Sequence, residues 1–208
     1  MFEHYWGIHR EAPSMNSNSK SNNNDTISDG VFREGHNIFF YEEVNDTSVN
    51  TLIHIIYEII GEDSGIVSNT VKHINLHFDS WGGWVTSMLK FVDVLRILQD
   101  SENPKIKVTA VINHMAASAA SFMALMCSER IMTKNSTYMI HEILAVETGT
   151  YSILASRMSW LERLHNTLVE GYASRSNLSE DDVRDVLRKE KWYTAEEALE
   201  AGFVDSIM

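Results

Sequence analysis

The sequence predicts an α/β domain with a mainly parallel sheet and helical crossovers. Three observations point there. Segments with apolar residues at every second position alternate with segments whose apolar residues recur at helical spacing. The chain has 208 residues, 44% hydrophobic and 22% charged, which suits one domain with a substantial core. Glycine-rich and small-residue segments also fall just after strand-like segments, where such sheets hold their ligands.

In chain order, Asn37–Tyr41 (NIFFY) reads as a short apolar strand. Asn45 or Asp46 then caps a helix that carries Val49, Leu52, Ile56, Ile59 and Ile60 on one face. Ile74, Leu76 and Phe78 alternate through a strand ending at the turn Asp79-Ser80-Trp81-Gly82-Gly83. A second amphipathic helix follows, with Val85, Met88, Val92, Leu95 and Leu98 inward, and Pro104 punctuates. Ile106, Val108, Ala110 and Ile112 alternate in a further strand, and Met115–Ala124 reads as helix. A strand near Tyr138–Ile143 precedes a long helix, Tyr151–Ser174, with Leu154, Met158, Leu161, Leu164, Leu168 and Tyr172 in register. Thr194 and Glu197 form a capping box, and Gly202 stops that last helix.

Residues 1–35 are set apart from the domain at 36–208. Asn16–Gly30 is Asn/Ser-rich and has almost no apolar side chain, which predicts a flexible segment. Phe2, Tyr5, Trp6 and Ile8 precede it, and leave two readings open: a plain tail, or an aromatic tether for a neighbouring subunit or partner.

Charge and composition narrow the function. The formal charge is 17 − 29 = −12 and disfavours a nucleic-acid partner. No apolar run approaches the roughly 18 residues of a membrane span, so no membrane association is expected. The N-terminus has no apolar h-region, which argues against a secretory signal. Cys127 is the one cysteine, so neither an internal disulfide nor a cysteine-rich zinc site is expected. None of the nine histidines occurs in a HExxH pairing, and no metal or organic cofactor is expected.

Three places suit chemistry. Gly82-Gly83 allows close approach of backbone to a ligand, with amide N–H groups turned outward. Ser118, set among alanines after a strand, has the setting of a nucleophile elbow. His141, in YMIHEI, supplies an imidazole at another strand end. Taken singly, each has a plain structural explanation: a tight turn, a close-packed helix start, a hydrogen-bonded core histidine. Together they are the parts of acyl-transfer catalysis.

The segments AASAASFMAL, YMIHEIL and WYTAEEALEAGFVDSIM resemble the Clp protease proteolytic subunit (ClpP) family. FDSWGGWVTS looks like that family's substrate-binding turn, and the resemblance runs from about Asn37 to Met208. It implies the crotonase/ClpP-like fold with a projecting long helix. It also implies a serine endopeptidase in which Ser118 is the nucleophile and His141 the general base. Gly82 and Gly83 would bind substrate, and the Gly83 and Ala119 amides would hold the oxyanion. Protein substrates, a homo-oligomeric double ring (a tetradecamer), an AAA+ ATPase unfoldase partner and a cytoplasmic location follow from the same likeness. The chain carries no P-loop of its own, so any ATP dependence is borrowed. Bacteriophage-encoded relatives share the W-x-T-A-E-E-A ending especially well, which accords with a viral source.

The third catalytic residue departs from the pattern. Without gaps, the position read as the family's Asp falls on Val186, which cannot orient an imidazole. A one-residue slip brings in Asp185, the expected choice, with Asp182, Glu190 or no carboxylate as the alternatives. That departure keeps a catalytically silent ring subunit with an assembly role in view. A crotonase-type acyl-CoA enzyme and a signal-peptide-peptidase relative fit less well, for want of a basic CoA patch and of a membrane anchor.

Overall fold

The computed structural model describes residues 29–62, 72–100 and 106–208. The Asn/Ser-rich segment up to Ile27, the aromatic residues Phe2, Tyr5 and Trp6, and Pro104 lie outside the described residues. The described chain folds around an eight-stranded mixed sheet. A hairpin opens it: β1 (Val31–Glu34) and β2 (Asn37–Phe40) pair antiparallel through a turn at Gly35, whose φ is 61°. β1 thus lies within the segment that the sequence set apart at residue 35.

Helix α1 (Asp46–Glu62) crosses to β3 (Lys72–Ser80), and α2 (Val85–Asp100) crosses to β4 (Ile106–Ala117). The pairs β2–β3 and β3–β4 are parallel, as a helical crossover requires. β5 (Glu129–Met132), β6 (Thr137–Ile140) and the short β8 (Ser206–Ile207) add further parallel pairings, while β7 (Lys191–Tyr193) runs antiparallel to β6. Asn45 caps α1 through a 3.0 Å bond from the Ser48 amide to its side-chain oxygen. Leu52, Ile56 and Ile59 from α1 and Met88, Phe91 and Leu95 from α2 are buried with Ile38, Phe40, Ile74 and Leu76 of the sheet.

An irregularity in β4 positions everything downstream. Phe78 lies opposite Ile112, yet the next residue, Asp79, lies opposite Met115, so Asn113 and His114 form a bulge. Before the bulge β4 pairs with β5 through Thr109–Ile112, and after it with β6 through Met115–Ala117. This corrects the helix expected from Met115: residues 115–117 are strand. Helix α3 begins only at Ala119 and ends at Leu125. Pairing on both edges, to β3 and to β6, overrides the helix preference of the alanines.

Helix α4 (Tyr151–Ser174) keeps its expected limits. Its buried residues, Leu168, Val169, Gly171 and Tyr172, all lie in the last two turns, where it packs on α3. No residue from 151 to 167 is buried, and Tyr151, Ile153, Met158 and Trp160 are exposed. Of the residues expected in register along it, Leu168 and Tyr172 belong to the subunit's own core. After α5 (Glu180–Leu187) and β7, α6 (Ala195–Glu200) opens with the reciprocal Thr194–Glu197 capping box. Gly202, at φ 77°, ends it, and the Phe203 amide bonds back to Ala198 O at 2.8 Å. Among the described residues no helix is long and apolar enough to cross a membrane.

Phe203 ties the C-terminal segment to the core. It is fully buried, stacks on Tyr138 at 5.1 Å and meets the edges of Tyr193 and Tyr172 at 5.0 and 6.0 Å. Phe203→Ala is therefore expected to cost about 3–5 kcal/mol, read as a lower urea midpoint; an unchanged midpoint would contradict this packing.

Candidate active site

Ser118 sits between the end of β4 and the start of α3, at φ 54° and ψ −124°. A side chain at positive φ is strained by about 1–3 kcal/mol and persists only where its surroundings hold it. Here the Ser118 amide donates to Met139 O at 2.9 Å, which extends the β4–β6 ladder by one bond. On the other side its carbonyl accepts from the Ser121 and Phe122 amides at 3.1 and 3.3 Å.

His141 is the residue after β6, so the two parallel neighbours deliver Ser118 and His141 at the same end of the sheet. His141 Nε2 lies 2.7 Å from Ser118 Oγ, within reach of the hydroxyl proton when that nitrogen is unprotonated. Burial lowers the His141 pKa below its ordinary 6.5, while the Glu190 carboxylate raises it in part. The net direction leaves the imidazole neutral at pH 7 and able to accept a proton.

The carboxylate that acts on His141 is thus Glu190, and the sheet register explains its place. β7 pairs with β6 so that Lys191 lies opposite Ile140. One step further along this antiparallel register sets Glu190 against His141. Glu190 adopts φ 48° in the turn after α5, where its amide donates to Leu187 O at 3.3 Å. Among the described residues, Ser118 is the one side chain hydrogen-bonded to His141, so Glu190 acts on the ring through its field.

Asp185, expected as the third member, points elsewhere. α5 buries Val183 and Leu187, so residue 185 faces outward, and the exposed Asp185 carboxylate accepts from Arg188 at 3.0 Å. Asp182 is engaged in the capping box with Ser179 at the far end of the same helix. Val186, half-buried, packs against the core. Glu190 was within the reach of sequence reasoning as an alternative. The register of a three-residue strand, KWY, was the missing signal.

The Gly-Gly turn lies against the elbow. A Cβ on Gly82 would come within 2.6 Å of both Ala117 O and Ser118 Cβ, and within 2.9 Å of Ala119 N. Gly83 forms a parallel bridge with Val44, in which the Val44 amide donates to Gly82 O and the Trp84 amide to Val44 O, both at 2.7 Å. A parallel bridge of this kind turns Gly83's own N–H and C=O to the opposite side. The Gly83 and Ala119 amides have no acceptor among the described residues. Met115, Ala117, Met139 and Trp192 form a small apolar cluster beside Ser118, and the exposed Trp81 meets Trp192 edge-on at 6.0 Å.

Comparison with known proteins agrees with this arrangement. The family model for Clp protease matches residues 19–208. The chain belongs to the Clp protease family. It is 28% identical over 170 residues to an ATP-dependent Clp protease proteolytic subunit of Streptococcus agalactiae serotype V (strain ATCC BAA-611 / 2603 V/R), covering 80% of this chain and 81% of that protein. It is 29% identical over 169 residues to the subunit of the same description from Streptococcus pneumoniae (strain 70585), covering 79% and 80%. As a Clp protease family member, the chain has the family's α/β fold, with the mixed sheet described above.

Two outcomes are expected from this geometry. Gly82→Ala should abolish reaction of Ser118 with a fluorophosphonate probe, because its Cβ displaces the elbow. In the unaltered protein the acid limb of that reaction should have its midpoint below 6.5, the ordinary value for His. Since the Glu190 charge raises the His141 pKa, Glu190→Gln should move the midpoint lower still. Asp185→Asn should leave it in place, and a shift in that variant instead would reverse the assignment.

Proposed function

We propose that this Clp protease family chain is a serine endopeptidase that cleaves unfolded polypeptide within an oligomeric ring. The observation that carries this reading is the 2.7 Å approach of His141 Nε2 to the hydroxyl of a serine held in an elbow. Family membership and the proteolytic subunits it resembles support the same substrate class.

Ser118 Oγ attacks the scissile carbonyl carbon while its proton passes to His141 Nε2. The oxygen of that carbonyl becomes an oxyanion, and the Gly83 and Ala119 amides are its donors. The imidazolium then gives its proton to the departing amine, leaving an acyl-enzyme. His141 next activates a water that releases the acyl group and restores the hydroxyl. Proton transfer of this kind contributes about 10²–10⁴-fold, and each oxyanion donor about 10²–10³-fold. Glu190 is the carboxylate of the set and stabilises the imidazolium as it forms. Substrate lies along the free edge of Gly83 as an added strand, so main-chain bonds outweigh side-chain preference.

Exposed residues of α4 support the ring. Outside its buried end this helix exposes Tyr151 and Met158 on one side and Ile153 and Trp160 on the other, which makes its outer part an apolar projection. Stacking of two rings would cover it, and an AAA+ ATPase would feed the enclosed chamber.

The first test is fluorophosphonate labelling with peptide mapping. An adduct on Ser118, absent in Ser118→Ala and in His141→Ala, is expected. No adduct on the assembled protein would overturn the reading in favour of a silent ring subunit. For the assembly, Leu161→Asp places a charge on the outer part of α4 and should split the particle in sedimentation; an unchanged particle would remove α4 from the interface.

A further inference from the structure

The reading of Ser118 as nucleophile does not use the buried hydroxyl of Ser121. Ser121 is fully buried in α3, three residues after Ser118, and its hydroxyl joins two others. Ser121 Oγ donates to Ser118 O at 2.6 Å. A hydroxyl has a single proton, and a carbonyl oxygen can only accept it. The contact of 2.8 Å between Ser121 Oγ and Tyr172 OH therefore has one possible direction: Tyr172 donates. The chain runs Tyr172 O–H to Ser121 O–H to the Ser118 carbonyl. Each bond in such a sequence polarises and strengthens the next.

Tyr172 comes from the buried end of α4, and the packing there is built for this reach. A Cβ on the adjacent Gly171 would come within 2.4 Å of Phe122 Cζ, so only glycine lets α4 lie this close to α3. The Tyr172 ring is set edge-on to Phe122 at 5.1 Å and to Phe203 at 6.0 Å. On the opposite side, Tyr138 OH donates to Ser121 O at 2.6 Å. Ser121 is thus clamped from α4 at its hydroxyl and from β6 at its carbonyl.

The clamped atom matters because of peptide planarity. The Ser118 carbonyl and the Ala119 N–H belong to one rigid trans peptide and point in opposite directions. Fixing the carbonyl aims the amide. Two of the bonds that fix it, from the Ser121 and Phe122 amides, are long at 3.1 and 3.3 Å. The short one is that of Ser121 Oγ.

We propose that Tyr172 is a positioning residue for catalysis: acting through Ser121, it holds the Ser118–Ala119 peptide so that the Ala119 N–H faces the oxyanion. The proposal rests on the serine-protease reading above. It predicts an effect on the transition state and not on substrate binding, since the oxyanion exists only after attack.

The test uses the full chain, with Tyr172→Phe and Ser121→Ala compared singly and together. Tyr172→Phe keeps the ring packed and removes only the donor. In each single variant, kcat for a short fluorogenic peptide and the rate of fluorophosphonate reaction at Ser118 should fall about tenfold, with KM unchanged. The pH midpoint, set by His141, should stay. The double variant should match the single ones, because both break the same chain of bonds. Unchanged rates in folded single variants, losses that multiply in the double variant, or a KM effect alone would overturn the proposal. If Tyr172→Phe does not fold, Ser121→Ala decides by the same readings. If Ser118 is not labelled in the unaltered protein, the protease reading fails and takes this proposal with it. Labelling that is normal in the unaltered protein and equally fast in the variants removes the proposal alone.

Discussion

The site depends on the two-residue bulge at Asn113 and His114. Without it, β4 would continue beside β5 and end without meeting β6. With it, the last three residues of β4 turn to pair with Thr137–Met139, and two chain segments 23 residues apart end side by side. Ser118 and His141 are then set by backbone register and not by flexible side chains. The third strand in this local set, β7, brings Glu190 by the same rule from the other edge of β6. A constellation built on strand ends is held more closely than one on loops.

Burial gives His141 its chemistry and Glu190 moderates it. A half-buried imidazole with no carboxylate near would be a weak base, neutral over a wide pH range. A carboxylate in direct contact would raise its basicity. Glu190 is intermediate: its charge reaches the ring, but no hydrogen bond joins them.

Much of this was legible in the sequence, for identifiable reasons. The long amphipathic stretches of α1 and α2 have enough periods to show their buried faces, α4 is long enough to show its limits, and the Thr194–Glu197 box is a local signal. Ser118, His141 and the Gly pair were readable because small residues and an imidazole at strand ends have few other uses in that combination. Short elements were not. β5, ERIM, has two apolar residues, β8 has two residues in all, and α5 buries only Val183 and Leu187. Their formation is decided by what they pair with. Met115–Ala117 shows the same limit from the other side, since a methionine and two alanines read as helix until two neighbouring strands claim them. Asp185 lies on the outward side of α5, and a slip of one residue in a linear comparison says nothing about which side of that helix faces the sheet.

The order of these parts along the chain has a consequence for biosynthesis. The elbow and its histidine emerge first, and the β7 strand with Glu190 comes within the last twenty residues. Phe203, which stacks on Tyr138 and touches Tyr172, comes later still. A growing polypeptide therefore carries Ser118 through roughly seventy residues of further synthesis before Glu190 is added. The packing of β6, the strand that leads into His141, is therefore complete only once Lys191–Tyr193 and Phe203 are in place.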